Sequence, residues 1–310
     1  SHAIRSVPGE NIVAVCDVKA WVRDDAARHV DQRYQSAGCA TYGDFRELLE
    51  RPDIDAVSSA TCDHWHVLTA LAAARSGKDV YLEKPMGLCM AECIALREAM
   101  HRYGRVFQFG TQQRSEGHFR RACELALNER IGKVHTINVW SPGSSRGGSF
   151  EPEPVPKGLD YEMWLGPAPY VPYTKDRCSN SLWWFISDYA LGFIAGWGIH
   201  PMDIASWGAG AGFDATVSVE GKGEFPTEGV ADTATNWFLA YKFANGLTMH
   251  FAGDPRPAEW AARYPTSTSH GTAFEGKDGW VHVHRGVLDS SPAEVVKADR
   301  ASEKIKLYES

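Results

Sequence analysis

Residues 55–60 read Asp55-Ala56-Val57-Ser58-Ser59-Ala60, and residues 79–85 read Asp79-Val80-Tyr81-Leu82-Glu83-Lys84-Pro85. Between them, His66 to Ser76 is rich in Ala and Leu, with Gly77 just past its end. Two short apolar runs joined by a helix-compatible stretch that stops at glycine describe a strand–helix–strand crossover, the connection that parallel strands require. The alternation extends both ways. Upstream, Ile12-Val13-Ala14-Val15-Cys16 ends in Asp17, Asp24 to Tyr34 is charged and amphipathic, and Tyr42 to Leu49 opens a helix that Pro52 closes. Downstream, Met90 to Tyr103 is a helix and Val106 to Phe109 a strand. This order predicts a doubly wound parallel α/β sheet over residues 1–114 with helices on both faces.

After a bridging helix, Phe119 to Glu129, the texture changes. His135 to Trp140, Thr216 to Gly221, Ala234 to Phe243, Leu247 to Ala252 and Trp280 to Val283 alternate apolar and polar residues, and Asn245-Gly246 is a strong hairpin turn. A second domain over 115–310, α+β with a large mixed or antiparallel sheet, is the expectation. Pro142 to Ser181, with many Pro, Gly and Ser and almost no periodicity, reads as a long surface segment.

Composition narrows the function classes. With 32 Lys and Arg against 39 Asp and Glu, a net charge of −7 gives no pull toward nucleic acid or anionic lipid. No stretch reaches the 18 or so uninterrupted apolar residues of a membrane helix. The 7 cysteines, an odd number without the spacing of a disulfide scaffold, read as free and mostly buried thiols. Cys89 and Cys93, His64 and His66, and His282 and His284 are pairs that do not by themselves define a metal site, and no metal is expected. The compartment stays open, with the cytoplasm as default and export as the alternative.

Ligands of doubly wound sheets bind outside the carboxyl ends of the strands. The residues there are Asp17, Thr61 to His66, Glu83 to Pro85, and Gly110 to Arg114. An acid closing the second strand of such a sheet accepts hydrogen bonds from the ribose hydroxyls of NAD, a role that Asp17 fits as well as it fits simple helix capping. Lys84, at a strand end before Pro85, is placed where desolvation and a nearby positive charge would lower an amine's pKa into the range of proton transfer. His200, with an ordinary pKa near ~6.5, suits the same task. Asp203, three residues on, could share its helix face and orient the ring, or cap the helix or form a salt link. Gln112, Gln113 and Arg114 could line a cleft or simply cap a loop. Trp164, Trp183, Trp184 and Trp197 are core aromatics or walls against which a sugar stacks.

Five motifs in order, Thr61-Cys62-Asp63-His64-Trp65-His66, Glu83-Lys84-Pro85, Gly110-Thr111-Gln112-Gln113-Arg114, Trp164-Leu165-Gly166-Pro167-Ala168-Pro169 and Gly196-Trp197-Gly198-Ile199-His200-Pro201-Met202-Asp203-Ile204-Ala205, resemble the Gfo/Idh/MocA oxidoreductases, relatives of glucose–fructose oxidoreductase and inositol dehydrogenase. The resemblance covers nearly the whole chain. It implies a nicotinamide-binding Rossmann domain, a carboxy-terminal sheet through which subunits pack as a dimer or tetramer, and hydride transfer at a sugar or cyclitol carbon. It makes Lys84 and His200 catalytic, and it sets Asp17, Thr61, His64, His66, Glu83, Lys84, Pro85 and Gln112 along NAD, with NADP the less favoured cofactor. Substrate would meet Arg114, Trp164, Asp203 and the pair Asp188 and Tyr189. The pair is named because many relatives carry an aspartate four residues before the histidine, where this chain has Gly196. Cys62 stands where relatives often have proline.

Two further readings stand beside a simple dehydrogenase. One is an enzyme that cycles its NAD, oxidising a ring hydroxyl so that a glycosidic bond can be eliminated and then returning the hydride. The other is a non-catalytic dinucleotide-binding regulator, against which the retention of both Lys84 and His200 argues. A Rossmann glycine motif sits about 20 residues before the ribose-binding acid, yet Asp17 is close to the start. Ser1-His2-Ala3 resembles the residues just past the last glycine of such a motif, and Lys306 to Ser310 stops before the helices into which relatives continue. The chain thus reads as a fragment lacking both termini, with the first strand and glycine loop missing, and weak NAD binding is expected of residues 1–310 alone.

Overall fold

The computed structural model describes residues 11–178 and 181–308. The reading of Ser1-His2-Ala3 as the tail of a glycine motif lies outside the described residues. Two compact units emerge. The first takes the chain through Gly110 together with Gly148–Trp183 and Asp188–Ala190, and the second takes Thr111–Gly147, Trp184–Ser187 and Leu191 onward.

In the first unit, strands and helices alternate as β1 (Ala14–Cys16), α1 (Ala20–Tyr34), β2 (Ala40–Tyr42), α2 (Phe45–Leu49), β3 (Ala56–Ser59), α3 (Asp63–Arg75), β4 (Asp79–Leu82), α4 (Met90–Tyr103) and β5 (Phe107–Phe109). All pairing is parallel: β1 with β2, and β3-β4-β5 in a three-stranded sheet whose register sets Ala56 opposite Asp79 and Leu82 opposite Phe109. The crossover between β3 and β4 holds because α3 turns Val67, Ala70, Ala73 and Ala74 into a core shared with Val80 and Leu82 of β4 and with Leu96 and Met100 of α4. Alanines allow this close packing, and each apolar side chain removed from water adds roughly 25 cal/mol per Å². α4 ends where Gly104 turns left-handed at φ 60°. The short β2 goes beyond the sequence reading; three residues between Cys39 and the next helix carry no periodicity to read.

The second unit opens with α5 (Gly117–Leu127) and β6 (Val134–Pro142). The chain then re-enters the first unit, where α6 (Tyr161–Leu165) lies. The expectation of a long surface segment holds over residues 148–158, which are exposed, and gives way beyond them. Leu159, Tyr161, Trp164, Leu165, Tyr173 and Cys178 are buried, and the segment is tied to the end of β1 by hydrogen bonds from Ala20 N to Gly158 O (2.8 Å) and Asp160 N to Val18 O (3.0 Å). Its burial comes from scattered aromatic anchors, which no helix or strand period reveals. Gly166 is required: at φ 52° it faces Trp65, and a Cβ there would lie 2.1 Å from Cζ2 of that indole.

The second unit continues with α7 (Phe193–Gly196), α8 (Ile199–Ala209), β7 (Val217–Glu224), β8 (Asn236–Phe243), β9 (Thr248–Asp254), α9 (Ala258–Arg263), β10 (Gly271–Gly276), β11 (Gly279–His284) and β12 (Val287–Ser291). These strands and β6 make a seven-stranded mixed sheet, ordered β12-β11-β10-β6-β9-β8-β7, in which only the β6–β9 pair is parallel. Asn245-Gly246 makes the β8–β9 hairpin, with Gly246 at φ 87°. One face buries Ile137, Val139, Met249, Phe251, Phe274, Val281 and Val283 with Phe119 and Leu125 of α5 and Ile204 of α8. Residues of opposite parity, Trp140, Ala252, Ala273 and Trp280, pack with Trp260 and Tyr264 in a second cluster. β10 and β12 escape the sequence reading. β10 is bounded by Gly271 and Gly276, which leave room for Trp140 and for the Ile131 carbonyl. No helix among the described residues is long and apolar enough to cross a membrane.

Candidate active site

The carboxyl ends of β1, β3 and β4 carry the candidate residues of the first unit. Asp17 follows β1; its Oδ1 accepts from Lys19 N at 2.8 Å, and its pKa is raised by burial against the opposing pull of Lys19 and Arg23. Its other carboxylate oxygen receives no hydrogen bond from a described residue. That pair of acceptor oxygens fits a ribose, with one fixing the acid and the other open to accept from a hydroxyl.

Beyond β3, Thr61 and Cys62 lead into α3, and Asp63, His64 and His66 are all buried in its first turns. His66 is held between two carbonyl oxygens, Nδ1 at 2.5 Å from Pro85 O and Nε2 at 3.1 Å from Thr61 O, so it staples the β3 loop to the β4 loop. A neutral imidazole donates from one nitrogen only, and burial lowers this pKa. His64 donates its backbone N–H to Tyr189 O (3.1 Å), its Nε2 lies 3.1 Å from Trp164 O, and burial lowers its pKa too. Both histidines therefore shape the loop through backbone groups.

Glu83 and Lys84 follow β4. The Glu83 carboxylate accepts from Lys84 N (3.3 Å) and Tyr81 Oη (3.4 Å). Lys84 is half-buried, Pro85 is buried and the Lys84–Pro85 bond is cis. The Lys84 amine is within electrostatic reach of Asp63 and His66. Asp63, inside the Thr61 to His66 stretch but given no role of its own in the sequence reading, is the residue that stands out: it is 3% exposed, its Oδ2 has no hydrogen-bond partner among the described residues, and burial raises its pKa to about 8, with Lys84 pulling it down. An acid opening a helix reads as an ordinary cap, and burial leaves no mark in sequence.

Trp164 and Tyr189, expected against substrate, are interior. Trp164 is 4% exposed and Tyr189 is wholly buried; their rings meet edge to face at 4.7 Å, and each packs on His64. The Tyr189 hydroxyl is taken by Arg177 Nη1 at 3.5 Å. Their hydrophobic faces are spent inside the protein, so they support the wall instead of forming its surface. Asp188 is half-buried beside them.

In the second unit, Gln112 is exposed at the start of a short 3-10 turn, Gln112–Ser115. Arg114 and Asp203 form a bidentate pair, Nε to Oδ2 and Nη2 to Oδ1, both 2.7 Å, and the guanidinium lies over the Trp207 ring at 5.1 Å. Asp203 is thereby committed to Arg114, which realises the salt-link alternative for it and gives Arg114 a structural partner. His200 is 4% exposed in the first turn of α8, edge-on to Trp197 at 5.5 Å. A Cβ on Gly196 would meet nothing within 4 Å, so the position lacking an acid is open space. Among the described residues no group of three or more His, Cys, Asp or Glu is placed to hold a metal ion.

Two family models match in succession along the chain. Residues 2–111 match the model of an oxidoreductase family's NAD-binding Rossmann fold, Gfo/Idh/MocA, and residues 127–305 match that family's C-terminal alpha/beta domain. Myo-inositol 2-dehydrogenase of Thermotoga maritima is 26% identical over 162 residues, 51% of this chain and 45% of that protein. A glycosyl hydrolase family 109 protein of Saccharopolyspora erythraea is 42% identical over 93 residues, 28% of this chain and 20% of that one. Among solved structures, the WlbA dehydrogenase of Bordetella pertussis, in complex with NADH and UDP-GlcNAcA, has a TM-score of 0.63 at 15% identity, covering 89% of this chain and 73% of that one. The stretches matched span half or less of the lengths of the inositol dehydrogenases.

Proposed function

Because the chain belongs to the Gfo/Idh/MocA oxidoreductase family, we propose that it is an NAD-dependent dehydrogenase taking a hydride from a hydroxyl-bearing carbon of a sugar, a sugar derivative or a cyclitol. The observation that carries this reading is Lys84, half-buried at the end of β4 with Asp63 and His66 in electrostatic reach. Oxidising a secondary alcohol removes hydride from carbon and a proton from oxygen as the C=O bond forms. Lys84 accepts that proton, and the positive charge it gains faces the Asp63 carboxyl. His200 is assigned the second proton-handling role. NAD, when bound, supplies the hydride acceptor; Asp17 would hold its ribose, and Thr61, Glu83, Pro85 and Gln112 would line it. His64 and His66 act by fixing the loops on which those residues stand. A carboxylate at Asp17 repels a 2′-phosphate, which favours NAD over NADP. Assembly through the large sheet is part of the proposal, supported by apolar exposure at Val219 (52%) and Phe238 (40%) on β7 and β8.

A second reading, redox-neutral glycoside cleavage, is favoured by the 42% match to the glycosyl hydrolase family 109 protein and by the space at Gly196. Following NADH absorbance and aglycone release together, on a panel of sugars and aryl glycosides, separates the two. Net oxidation builds up NADH in proportion to product; aglycone release without NADH overturns the first reading and establishes the second.

A further inference from the structure

We propose that Arg177 recognises a carboxylate on the substrate, so that the carbinol oxidised here belongs to a sugar acid. This rests on the dehydrogenase reading and narrows its substrate class.

Arg177 is only 9% exposed. A guanidinium offers five N–H donors and a permanent charge, and a buried one is ordinarily matched by a carboxylate or by several carbonyl oxygens. The protein does this elsewhere: Arg114 grips Asp203, Arg300 grips Glu124 through Nε and Nη2, and Arg121 reaches Glu303 and the Ala298 carbonyl. Arg177 differs. Among the described residues it has no ion pair, and its one side-chain hydrogen bond is the long contact to the Tyr189 hydroxyl. The groups facing it are the phenols of Tyr161 and Tyr189 and the thiol of Cys178, all kept neutral by burial. The guanidinium, with the Lys19 amine also bearing on Cys178, is thus held without a carboxylate of its own among the described residues, an arrangement that an arriving anion would complete.

Its position ties it to the reaction. Tyr189 orients the guanidinium and is itself locked to the candidate site: its ring lies 5.2 Å from that of His64, and its carbonyl accepts the His64 N–H at 3.1 Å. His64 directly follows Asp63, the carboxyl within reach of Lys84. The cation and the proposed base therefore belong to the same unit, linked through Tyr189 and His64. One planar fork matches the two oxygens and single charge of a carboxylate, whereas a dianionic phosphate calls for further cations. Lys19, whose amine donates to the Cys178 carbonyl at 3.0 Å, adds a second positive charge close by, and the glucose 6-phosphate arm of the test separates a phosphate from a carboxylate. Arg177 is offered as a substrate-binding residue and Tyr189 as a positioning residue.

The test is calorimetric titration of the NAD-saturated whole protein with D-glucuronate and D-galacturonate, each against its neutral hexose. At least one uronate should bind about 10–100-fold more tightly than its hexose, the usual worth of a charge-assisted bidentate pair. Arg177→Gln should erase that preference. Arg177→Lys, which keeps the charge but loses the fork, should retain part of it and guards against misfolding of the first variant. Lys84→Met should leave the preference intact while NADH formation collapses, so failure of the dehydrogenase reading and failure of this proposal give different results. Equal binding of acid and neutral sugar, a preference that survives Arg177→Gln, or tighter binding of glucose 6-phosphate than of either uronate would overturn the assignment.

Discussion

Replacing Asp63 by Asn should make the protein more stable, and by an amount that grows with pH. The folded carboxyl titrates at about 8 against an ordinary 3.8, because burial at 3% exposure outweighs the attraction of Lys84. Across that interval the folded state keeps a proton that the unfolded chain has released, so stability falls as pH rises. At ~1.36 kcal/mol for each pH unit, the loss between about pH 4 and pH 8 is on the order of 5 kcal/mol. The positive end of the α3 dipole favours the ionised acid by about 1 kcal/mol, which lowers the expected total to roughly 4 kcal/mol. Asn is nearly isosteric and never ionises, so the variant lacks this slope. Urea unfolding of both proteins across about pH 5 to pH 8 should show curves that converge in acid and diverge by about 1 kcal/mol per unit toward alkali. Parallel curves would mean that Asp63 is solvated or paired, and that its juxtaposition with Lys84 has been misjudged.

Asp17→Ser removes the acid proposed to accept the ribose hydroxyls; NAD affinity should fall and the NAD:NADP preference should narrow, as read by titration with each cofactor, and tighter NADP binding by the unaltered protein would count against the assignment. Glu124, with a side chain 1% exposed, accepts from Arg300 at 2.9 and 2.7 Å and from Leu307 N at 2.8 Å, strapping residues 300–307 to α5. Glu124→Ala should cost about 3 kcal/mol and lower the melting temperature by roughly 5–10 °C, while Lys242→Ala, which breaks an exposed pair with Glu220, should leave it unchanged within error.

The parts of the fold legible in the sequence are those whose information is local. β4 and α4 agree residue for residue with the reading because each carries its own punctuation, Glu83 after one and Gly104 after the other. The motifs Thr61 to His66 and Glu83 to Pro85 likewise follow the strands β3 and β4, where chain order alone assigns them a place. The features that escape are set by packing between distant segments. The Arg114–Asp203 pair spans 89 positions, and nothing local to either residue announces it. Asp63 and Arg177 look like routine surface charges until burial is known. Gly271 and Gly276 lie inside β10 because only glycine fits there against Trp140 and the Ile131 carbonyl, a constraint that no local pattern shows. The segment from Gly148 to Trp183 belongs with the first unit through single anchors such as Leu159 and Trp164, and such anchors have no period.

The central claim is that Lys84 moves the substrate's proton, and its replacement by Met tests that most directly. The thioether keeps similar length and apolar bulk but cannot titrate. With NAD binding shown to be unchanged by titration, turnover measured as NADH formation should fall by roughly 10²–10⁴, the usual contribution of general acid–base catalysis. Turnover equal to that of the unaltered protein would contradict the account.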